Sequence, residues 1–302
     1  MGLSLRNIKK WWKMIRGKSI LHVNQEEGKY YSFDEIKGYF NDLTEKVTKD
    51  KENYNSLEVI KYPGEIHYFP IAVFQYGLAC YDLYLSNCDD KELMLSKFMV
   101  HLNWAFDNQN KNGSWDTFVD HYPKTPYSSM AQGEGASLLI RGFIYTKEKK
   151  YLESAKKAID FMLLPISEGG TAEETDTSLL LYEFTCFPYV YNGWMFSIFG
   201  LMDYVIATND DYVNEKLSKT LLTLAERVSE MDNGFWSMYR HDKTIASPFY
   251  HHLHIAQLQI LYEYTSNAIF KKYHDLFVEY EKNPKNKRKA FRKKAFQKIF
   301  YK

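Results

Sequence analysis

The feature that most constrains the fold of this chain is an internal repeat with a period of roughly 60 residues. Segments rich in Gly, Ala and apolar residues begin near residues 70, 129, 192 and 252. Each is followed by a second segment that has apolar residues at helical spacing. Two of the intervening turns share the pattern Asn-Gly-x-Trp, at 112–115 and 233–236. Such a repeat indicates helical hairpins packed side by side or in a ring.

The first helix of each pair carries the small residues, which allow close approach and place it on the inside. The second helices carry more Lys and Glu and belong outside. We therefore predict a mainly all-α fold, an α/α toroid of about four helical hairpins with short β-hairpins in the connecting turns. The small residues are Gly77, Gly133, Gly135, Gly193 and Gly200.

The segments around the repeat define the expected domain organisation. Residues 1–60 are predicted to form an N-terminal basic helix and a connector, with a further helix over 34–50. Residues 61–280 form the toroid, entered through a loop and short strand over 54–69. Residues 281–302 form a basic amphipathic C-terminal tail.

Composition and short motifs exclude several classes of protein. The chain is 45% hydrophobic, enough for a full core, and its three cysteines have neither disulfide-framework nor metal spacing. It lacks a secretory signal, a stretch of ~20 apolar residues, a Walker loop, a dinucleotide fingerprint and a Ser-centred elbow. We expect a cytoplasmic protein, and any contact with the membrane is expected at its inner face. We expect no cofactor, no metal and no nucleic-acid partner.

Both ends of the chain are strongly basic. Residues 1–18 hold six basic groups and no acid, and residues 281–302 hold ten basic groups and one acid. Such ends can lie on an anionic membrane or on a polyanionic chain, or they can be solvated terminal helices packed on the body. Apolar residues at helical spacing accompany both: Trp11, Trp12, Ile15, Phe291, Phe296, Ile299 and Phe300.

The last inner helix, predicted over 250–264, begins with an unusual set of polar side chains. Ile255, Leu258 and Leu261 form its buried stripe, while Pro248 suits a helix entrance. Polar residues that open the inner helices should converge at one end of the ring. They are Tyr68, Tyr127, Gln132, Glu183, Asn192, Tyr250 and His254.

Four stretches, in order over about residues 65–265, carry a resemblance to a known family. They are HYFPIAVFQYGL (67–78), SMAQGEG (129–135), NGWMFS (192–197) with Gly200-Leu201, and YHHLHIAQLQ (250–259). The chain resembles the C-terminal domain of D-glucuronyl C5-epimerases, which invert C5 of glucuronic acid within heparan-type chains. The resemblance implies an α/α barrel, a catalytic role for 61–280, a homodimer, and a bacterial-type member without the family's N-terminal β domains.

The resemblance also implies catalytic residues. The family's acid, in a Glu-Tyr-Pro context, matches Glu183 if two residues are deleted, although Phe184 replaces the tyrosine. The family tyrosine that opens the last inner helix matches Tyr250. A Tyr-Asp-Leu-Arg-His segment matches Arg240 and His241, with Tyr239 as the displaced tyrosine.

Inversion at C5 needs two proton-transfer groups on opposite faces of the sugar and cations that stabilise an enolate. We assign Glu183 and Tyr250 to the opposed pair. We expect Arg240, His251 and His254 to hold the uronate carboxylate and to lower the pKa of Tyr250. The expected substrate-binding residues are Tyr68, Gln75, Trp115, Tyr127, Gln132, Asn192, His241, His251, His254 and Gln257.

The predicted function is therefore a uronic acid C5-epimerase that converts glucuronate to iduronate in an anionic polysaccharide or bacterial surface glycan. Two alternatives stay open: a polysaccharide lyase on the same fold, and a non-catalytic glycan-binding protein. The histidines can also be satisfied helix-cap residues, the glutamines can brace neighbouring helices, and Trp115 and Trp236 can be hairpin plugs rather than stacking platforms. The 25 tyrosines suit sugar binding or simply line helices.

Overall fold

A computed structural model of the chain describes residues 25–49, 60–62, 65–86 and 88–300, and it is mainly helical. The helices are α1 Glu45–Thr48, α2 Pro70–Leu85, α3 Lys91–Asp107, α4 Ser129–Thr146, α5 Lys149–Leu163, α6 Tyr191–Thr208, α7 Asp211–Arg227, α8 Pro248–Thr265, α9 Ala268–Lys282 and α10 Pro284–Phe300. The strands are β1 Ile60–Tyr62, β2 Glu65–His67, β3 Ala172–Glu174, β4 Leu179–Leu181, β5 Met238–Arg240 and β6 Thr244–Ile245.

The four helical hairpins of the repeat are present. Helices α2, α4, α6 and α8 begin close to the predicted positions, and each packs against the helix that follows it. The inner helices contact one another in chain order, α2 with α4, α4 with α6, and α6 with α8. A Cβ added at Gly200 on α6 would lie 2.3 Å from the Cα of Gly133 on α4, so only glycine permits this approach.

Short antiparallel β-hairpins occupy three of the connections. β1 pairs with β2 before α2, β3 with β4 before α6, and β5 with β6 before α8. The connection before α4 contains the Asn-Gly-Ser-Trp turn, where Gly113 has a φ of +92°. The prediction of a mainly all-α fold with short β-hairpins in the turns is confirmed.

The segment 25–49 differs from its prediction as a connector with a helix over 34–50. Its only helix is α1, because the backbone pairs with itself across a loop, with Gly28 N–H donating to the Phe40 carbonyl and Gly38 N–H to the Tyr30 carbonyl. The Tyr31 hydroxyl bonds Glu263 on α8. The segment belongs to the same hydrophobic core as the hairpins, through Tyr39, Phe40, Leu43 and Val47.

A buried ion pair ties this segment to the inner helices. Arg141 on α4 donates to Asp203 on α6 at 2.6 Å and to the Gly38 carbonyl at 2.7 Å. Both side chains of the pair are at most 2% exposed. The Tyr39 N–H donates to Asp82 on α2 at 2.9 Å. Residues 38–39 therefore lie across the carboxyl-terminal halves of three inner helices.

The basic C-terminal end forms α10, which packs on the body. Ala290 is buried, and Gln297 accepts from the Ile245 N–H on β6 at 2.9 Å. This agrees with a terminal helix packed on the body, one of the two alternatives for the basic ends. The predicted basic helix at 1–18 lies outside the described residues. None of the helices in the described part of the chain is long and apolar enough to cross a bilayer.

Candidate active site

Glu183 lies at the amino-terminal end of the inner helices, two residues after β4 and before α6. The side chain is buried, and its Oε2 has no hydrogen-bond partner among the described residues. Gly193, in the first turn of α6, makes room for it, because a Cβ there would lie 2.4 Å from that oxygen. A buried carboxyl that the protein leaves unpaired is costly for stability and is typical of a functional site.

Strand β5 brings Arg240 and Tyr239 to this carboxyl. Val190, which precedes α6, pairs with Arg240 in an antiparallel bridge, and the His241 N–H donates to the Tyr189 carbonyl at 3.1 Å. This pairing holds β5 against the entrance of α6. Burial raises the pKa of Glu183, and the positive charge of Arg240 opposes this effect.

Tyr250 completes the group from the first turn of α8, where the Ser247 hydroxyl caps the helix by accepting from the Tyr250 N–H. The rings of Tyr239 and Tyr250 lie with their centroids 4.6 Å apart, and their hydroxyls hydrogen-bond each other. The structure thus brings together the four residues predicted to be catalytic: Glu183, Tyr239, Arg240 and Tyr250.

The protonation states of this group follow from its burial. Burial raises the pKa of Glu183 to about 8, and the Arg240 charge offsets only part of this effect. Burial also raises the pKa values of Tyr239 and Tyr250 above the ordinary value, with a further contribution from the Glu183 charge. The hydrogen bond with Tyr239 lowers the pKa of Tyr250. Near neutral pH, Glu183 can gain or lose a proton, whereas both tyrosines keep theirs.

Arg240 has a buried donor without a partner among the described residues. Its Nη2 forms an ion pair with Asp242, and its guanidinium lies 5.1 Å from the centre of the Phe187 ring. The buried Nε donates to none of the residues that the structure describes. This N–H is therefore able to bind an anionic group brought in beside Glu183.

The two histidines expected to carry positive charge do not do so. Burial lowers the pKa of His251 to about 4 and holds that of His254 well below its usual range, so both are neutral. The ring of His251 stacks on Trp236 at 3.7 Å, and its nitrogens bond Ser237 and the Phe277 carbonyl. His254 Nδ1 bonds the Ser237 hydroxyl at 2.9 Å. Both ring nitrogens of His251 have protein partners, whereas His254 Nε2 is buried and has no hydrogen-bond partner among the described residues. Because both rings are neutral, neither supplies the positive charge expected to hold a carboxylate.

His241 points away from this group. Its Nδ1 lies 2.9 Å from the Tyr189 hydroxyl and 3.0 Å from Glu230. Tyr68 is exposed, with its ring 6.0 Å from that of Trp104. These contacts do not bring either residue to Glu183.

Several of the expected binding residues brace the fold instead. Gln132 donates to the carbonyls of Gly113 and Ala158 and accepts from the Trp115 N–H, so its side chain is fully used. Trp115 is buried and donates to the Ala105 carbonyl, which fits a hairpin plug. Tyr127 packs its ring against Phe161 and lines an open pocket with residues such as Asn112 and Glu168.

Two further residues expected to bind substrate, Asn192 and Gln257, lie next to each other at the amino-terminal end of α6. Gln257 donates to the Asn192 backbone carbonyl at 3.3 Å, which links α8 to the first turn of α6. Asn192 Oδ1 and Gln257 Oε1 are buried and accept no hydrogen bond within the described part of the chain. Both acceptors are thus available to a bound polar group.

Known proteins are similar to this chain over the residues of the site. A sequence model of the family described as "D-glucuronyl C5-epimerase C-terminus" matches residues 103–279, which include Glu183, Tyr239, Arg240 and Tyr250. The chain belongs to this family. It is also similar to a D-glucuronyl C5-epimerase of Caenorhabditis elegans, with 27% identity over 212 aligned residues; the match covers 61% of this chain and 34% of that protein. The chain thus spans about a third of the length of this relative.

The structure also contains a second buried acid, Glu134 on α4, which was not predicted from the sequence. It accepts from Gln75 Nε2 at 2.7 Å, so the expected sugar-binding role of Gln75 is taken by a protein partner. Burial raises the pKa of Glu134 well above its usual range, and the charges of Lys46 and Glu183 also act on it. Its position inside the SMAQGEG stretch, where an acid lies in a glycine-rich helix, is the sequence feature that could have identified it as buried.

An aromatic cluster beside Arg240 was also missed. Phe184 stacks on Phe118 with ring centroids 4.3 Å apart, and Tyr122 and Phe187 pack edge-on against Phe184. All four rings are half-buried, in contrast to Trp115 and Trp236, which the sequence offered as stacking platforms. Phe184 therefore lies in an apolar wall.

Proposed function

We propose that this chain is a uronic acid C5-epimerase that acts on glucuronate residues of an anionic glycan. One observation carries the proposal: a buried carboxyl with an unpaired oxygen, Glu183, lies beside Arg240 and the Tyr239–Tyr250 pair. The membership of the D-glucuronyl C5-epimerase C-terminal family, and the name of the nematode relative, support the same reaction.

Glu183 is the base that removes the C5 proton. A proton on a carbon next to a carboxylate is weakly acidic, so its removal favours a base of higher pKa than an exposed carboxylate has. Burial supplies this, because it raises the pKa of Glu183 to about 8. The proton passes to the carboxylate oxygen, and the electron pair of the C5–H bond becomes part of an enolate.

Tyr250 returns a proton to C5 from the opposite face. Its raised pKa keeps the hydroxyl protonated until the enolate forms. When Tyr250 gives up its proton, the Tyr239 hydroxyl donates to the new phenolate, as its effect on the pKa of Tyr250 indicates. Exchange with solvent then removes the proton from Glu183 and restores the proton of Tyr250. The reverse reaction uses the same two groups in exchanged roles.

Arg240 stabilises the enolate. The intermediate carries two negative charges on the former carboxylate, and fixed cationic donors at that position lower the barrier. Arg240 offers its unpaired Nε–H there, together with its positive charge. The buried histidines His251 and His254 act through the hairpin that holds Tyr239, since Ser237 binds both of them.

The wall of Phe118, Tyr122, Phe184 and Phe187 suits the apolar face of a sugar ring next to Arg240. We propose heparan-type chains, in which glucuronate becomes iduronate, as the substrate class; a bacterial surface glycan of that type fits the same site. The homodimer, the cytoplasmic location and the membrane contact of the basic ends stay predictions.

The test compares wild type with Glu183→Gln and Tyr250→Phe on heparan-type oligosaccharides, followed by proton NMR of the iduronate signal. Both variants should lose turnover by about a hundred- to ten-thousand-fold while oligosaccharide binding changes little. A product with the absorbance of an unsaturated uronate would assign the site to a lyase instead. Binding without any turnover by wild type would favour the non-catalytic alternative.

A further inference from the structure

Helix α10 is the most strongly charged element that the structure describes. Its sequence, PKNKRKAFRKKAFQKIF, has eight basic residues and no acid. The match to the D-glucuronyl C5-epimerase family ends at residue 279, before this helix begins. The charge of α10 therefore lies outside the part of the chain that the family accounts for.

The helix is fixed to the β5–β6 hairpin. Gln297 makes two hydrogen bonds with this hairpin, accepting from the Ile245 N–H and donating to the Lys243 carbonyl, both at 2.9 Å. Lys294 donates to the Ile245 carbonyl at 2.5 Å, and Ala290 is buried. Residues 290, 294 and 297 follow helical spacing, so they define the packed face of the helix.

The opposite face carries an exposed basic stripe. Lys285, Arg288 and Arg292 are spaced three and four residues apart, and all three side chains are exposed. Lys289, which is also exposed, lies over the ring of Phe235 at 4.0 Å. We call Lys285, Arg288 and Arg292 the basic stripe.

The packed face of the helix contacts a residue of the candidate active site. Lys294 Nζ lies 5.4 Å from the centre of the ring of Tyr239, which hydrogen-bonds Tyr250. A helix of 17 residues is about 25 Å long. The basic stripe, from residue 285 to residue 292, covers about 10 Å of this length, a distance that flanking sugar residues of an extended chain would cover.

We propose that the basic stripe of α10 binds the acidic groups of the glycan residues that flank the reacting glucuronate. This inference rests on the proposed function, because it takes the reacting sugar to lie beside Tyr239 and Tyr250. Charge complementarity favours it: carboxylates or sulfates repeated along a chain match cations repeated along a fixed helix.

The geometry favours a polyanionic chain over an anionic membrane. A helix that lies on a bilayer needs its apolar side chains on one face. The exposed aromatic residues of α10, Phe291 and Phe296, are five positions apart and point about 140° away from each other. They do not form a common apolar face alongside the basic stripe.

The experiment uses the full chain with Lys285→Gln, Arg288→Gln and Arg292→Gln combined. The control is Lys149→Gln, Lys150→Gln and Lys157→Gln, which removes the same charge from exposed positions on α5. KM is measured for an unsulfated heparan-type polymer and for a trisaccharide, at several salt concentrations. The stripe variant should raise KM for the polymer by about tenfold and weaken its salt dependence, whereas the ratio of the two KM values should not change in the control.

Binding separates a failure of this inference from a failure of the proposed function. The dissociation constant of the polymer is measured by titration, with Glu183→Gln as the background for both triple variants. One outcome is that wild type shows no turnover while the stripe variant still loses about tenfold in polymer affinity. In that case the basic stripe binds the polymer, and only the proposed epimerase activity is wrong.

Three results would overturn the docking surface. The first is polymer affinity and KM equal to those of the α5 control. The second is an equal rise in KM for trisaccharide and polymer. The third is loss of binding to anionic phospholipid vesicles with no change for the polymer, which would assign α10 to a membrane surface.

Discussion

Glu183 combines burial, an unpaired oxygen and a nearby guanidinium, and these properties set how the reaction responds to pH. As a base it must be deprotonated, so activity is expected to rise with pH until the carboxyl has ionised. The raised pKa of about 8 puts this rise in a range that an ordinary carboxyl would not reach.

The first prediction is a pH profile of kcat/KM that reaches half of its plateau near pH 8, the pKa of Glu183, and levels off about one pH unit above it. Arg240→Met should move the rise to higher pH, because the guanidinium now lowers the pKa of Glu183. It should also lower the plateau, since the enolate loses its cationic partner. A rise centred near pH 4.5, unmoved by Arg240→Met, would exclude Glu183 as the titrating base.

The second prediction concerns stability and has the same origin. In the folded chain Glu183 keeps its proton up to about pH 8, whereas the unfolded chain releases it near pH 4.5. The free energy of unfolding therefore falls as pH rises between these values, by up to about 1.4 kcal/mol per pH unit for this group. Glu183→Gln removes this loss, so the variant should be more stable than wild type at pH 8 and similar to it at pH 5. Urea unfolding at both pH values measures this, with the exposed Glu153→Gln as control; equal stability of wild type and Glu183→Gln at pH 8 would contradict it.

At the scale of elements, the start of α6 positions the acid. Gly193 leaves the space that the Glu183 carboxyl fills, and Gly200, two turns further on, leaves the space for α4. The two glycines lie on one helix but make room for different groups, so substitutions at the two positions can be compared directly.

The third prediction is that Gly193→Ala and Gly200→Ala separate activity from stability. The Cβ that Gly193→Ala introduces would meet Glu183 Oε2 at 2.4 Å, so the carboxyl must move and kcat should fall by at least about tenfold. Gly200→Ala meets backbone atoms of α4, which cannot yield easily, so the midpoint of thermal unfolding should fall with little loss of kcat in the folded fraction. Equal effects of both variants on kcat would show that Gly193 is only a packing residue.

At the scale of the whole molecule, the segment 25–49 joins helices that are distant in the chain. Its loop is held by the Arg141–Asp203 pair and by Asp82, while Tyr31 and Glu26 bond α8. The inner helices α2, α4, α6 and α8 thus share one packed segment, which contacts the carboxyl-terminal halves of α2, α4 and α6 and both ends of α8.

The fourth prediction is that Arg141→Met destabilises the chain by about 3–5 kcal/mol, because it leaves Asp203 buried without its partner. The double variant Arg141→Met with Asp203→Leu should recover much of this loss. Chemical denaturation measures both. A single-variant loss below about 1 kcal/mol would mean that the pair does not hold the segment.

The sequence predicted the hairpins well because the repeat is local: glycine-rich and Lys-rich helices alternate along the chain, and each buries its apolar face against its neighbour. It also predicted that Glu183 and Tyr250 lie at one end of the ring, because each lies at the start of an inner helix, whereas Tyr239 and Arg240 were predicted only from the family resemblance. It did not predict the segment 25–49, whose partners Asp82, Arg141 and Glu263 are far away in the chain.

The charge state of the two histidines is a second property that the sequence did not predict. His251 and His254 were expected to be charged ligands because they open a helix beside Tyr250. Their neutrality follows from burial, which lowers the pKa of both rings. A pattern of polar residues does not show how deeply the packed fold will bury a histidine.

The reaction proposed for this chain removes the C5 proton of a glucuronate residue and returns a proton to the opposite face. Its most direct test is solvent-deuterium incorporation at C5, followed by NMR of heparan-type oligosaccharides incubated with the protein in heavy water. We expect deuterium at C5 with a new iduronate signal and no unsaturated product, and neither exchange nor epimerisation with Glu183→Gln. Undiminished exchange with Glu183→Gln, or unsaturated product in place of iduronate, would contradict the account.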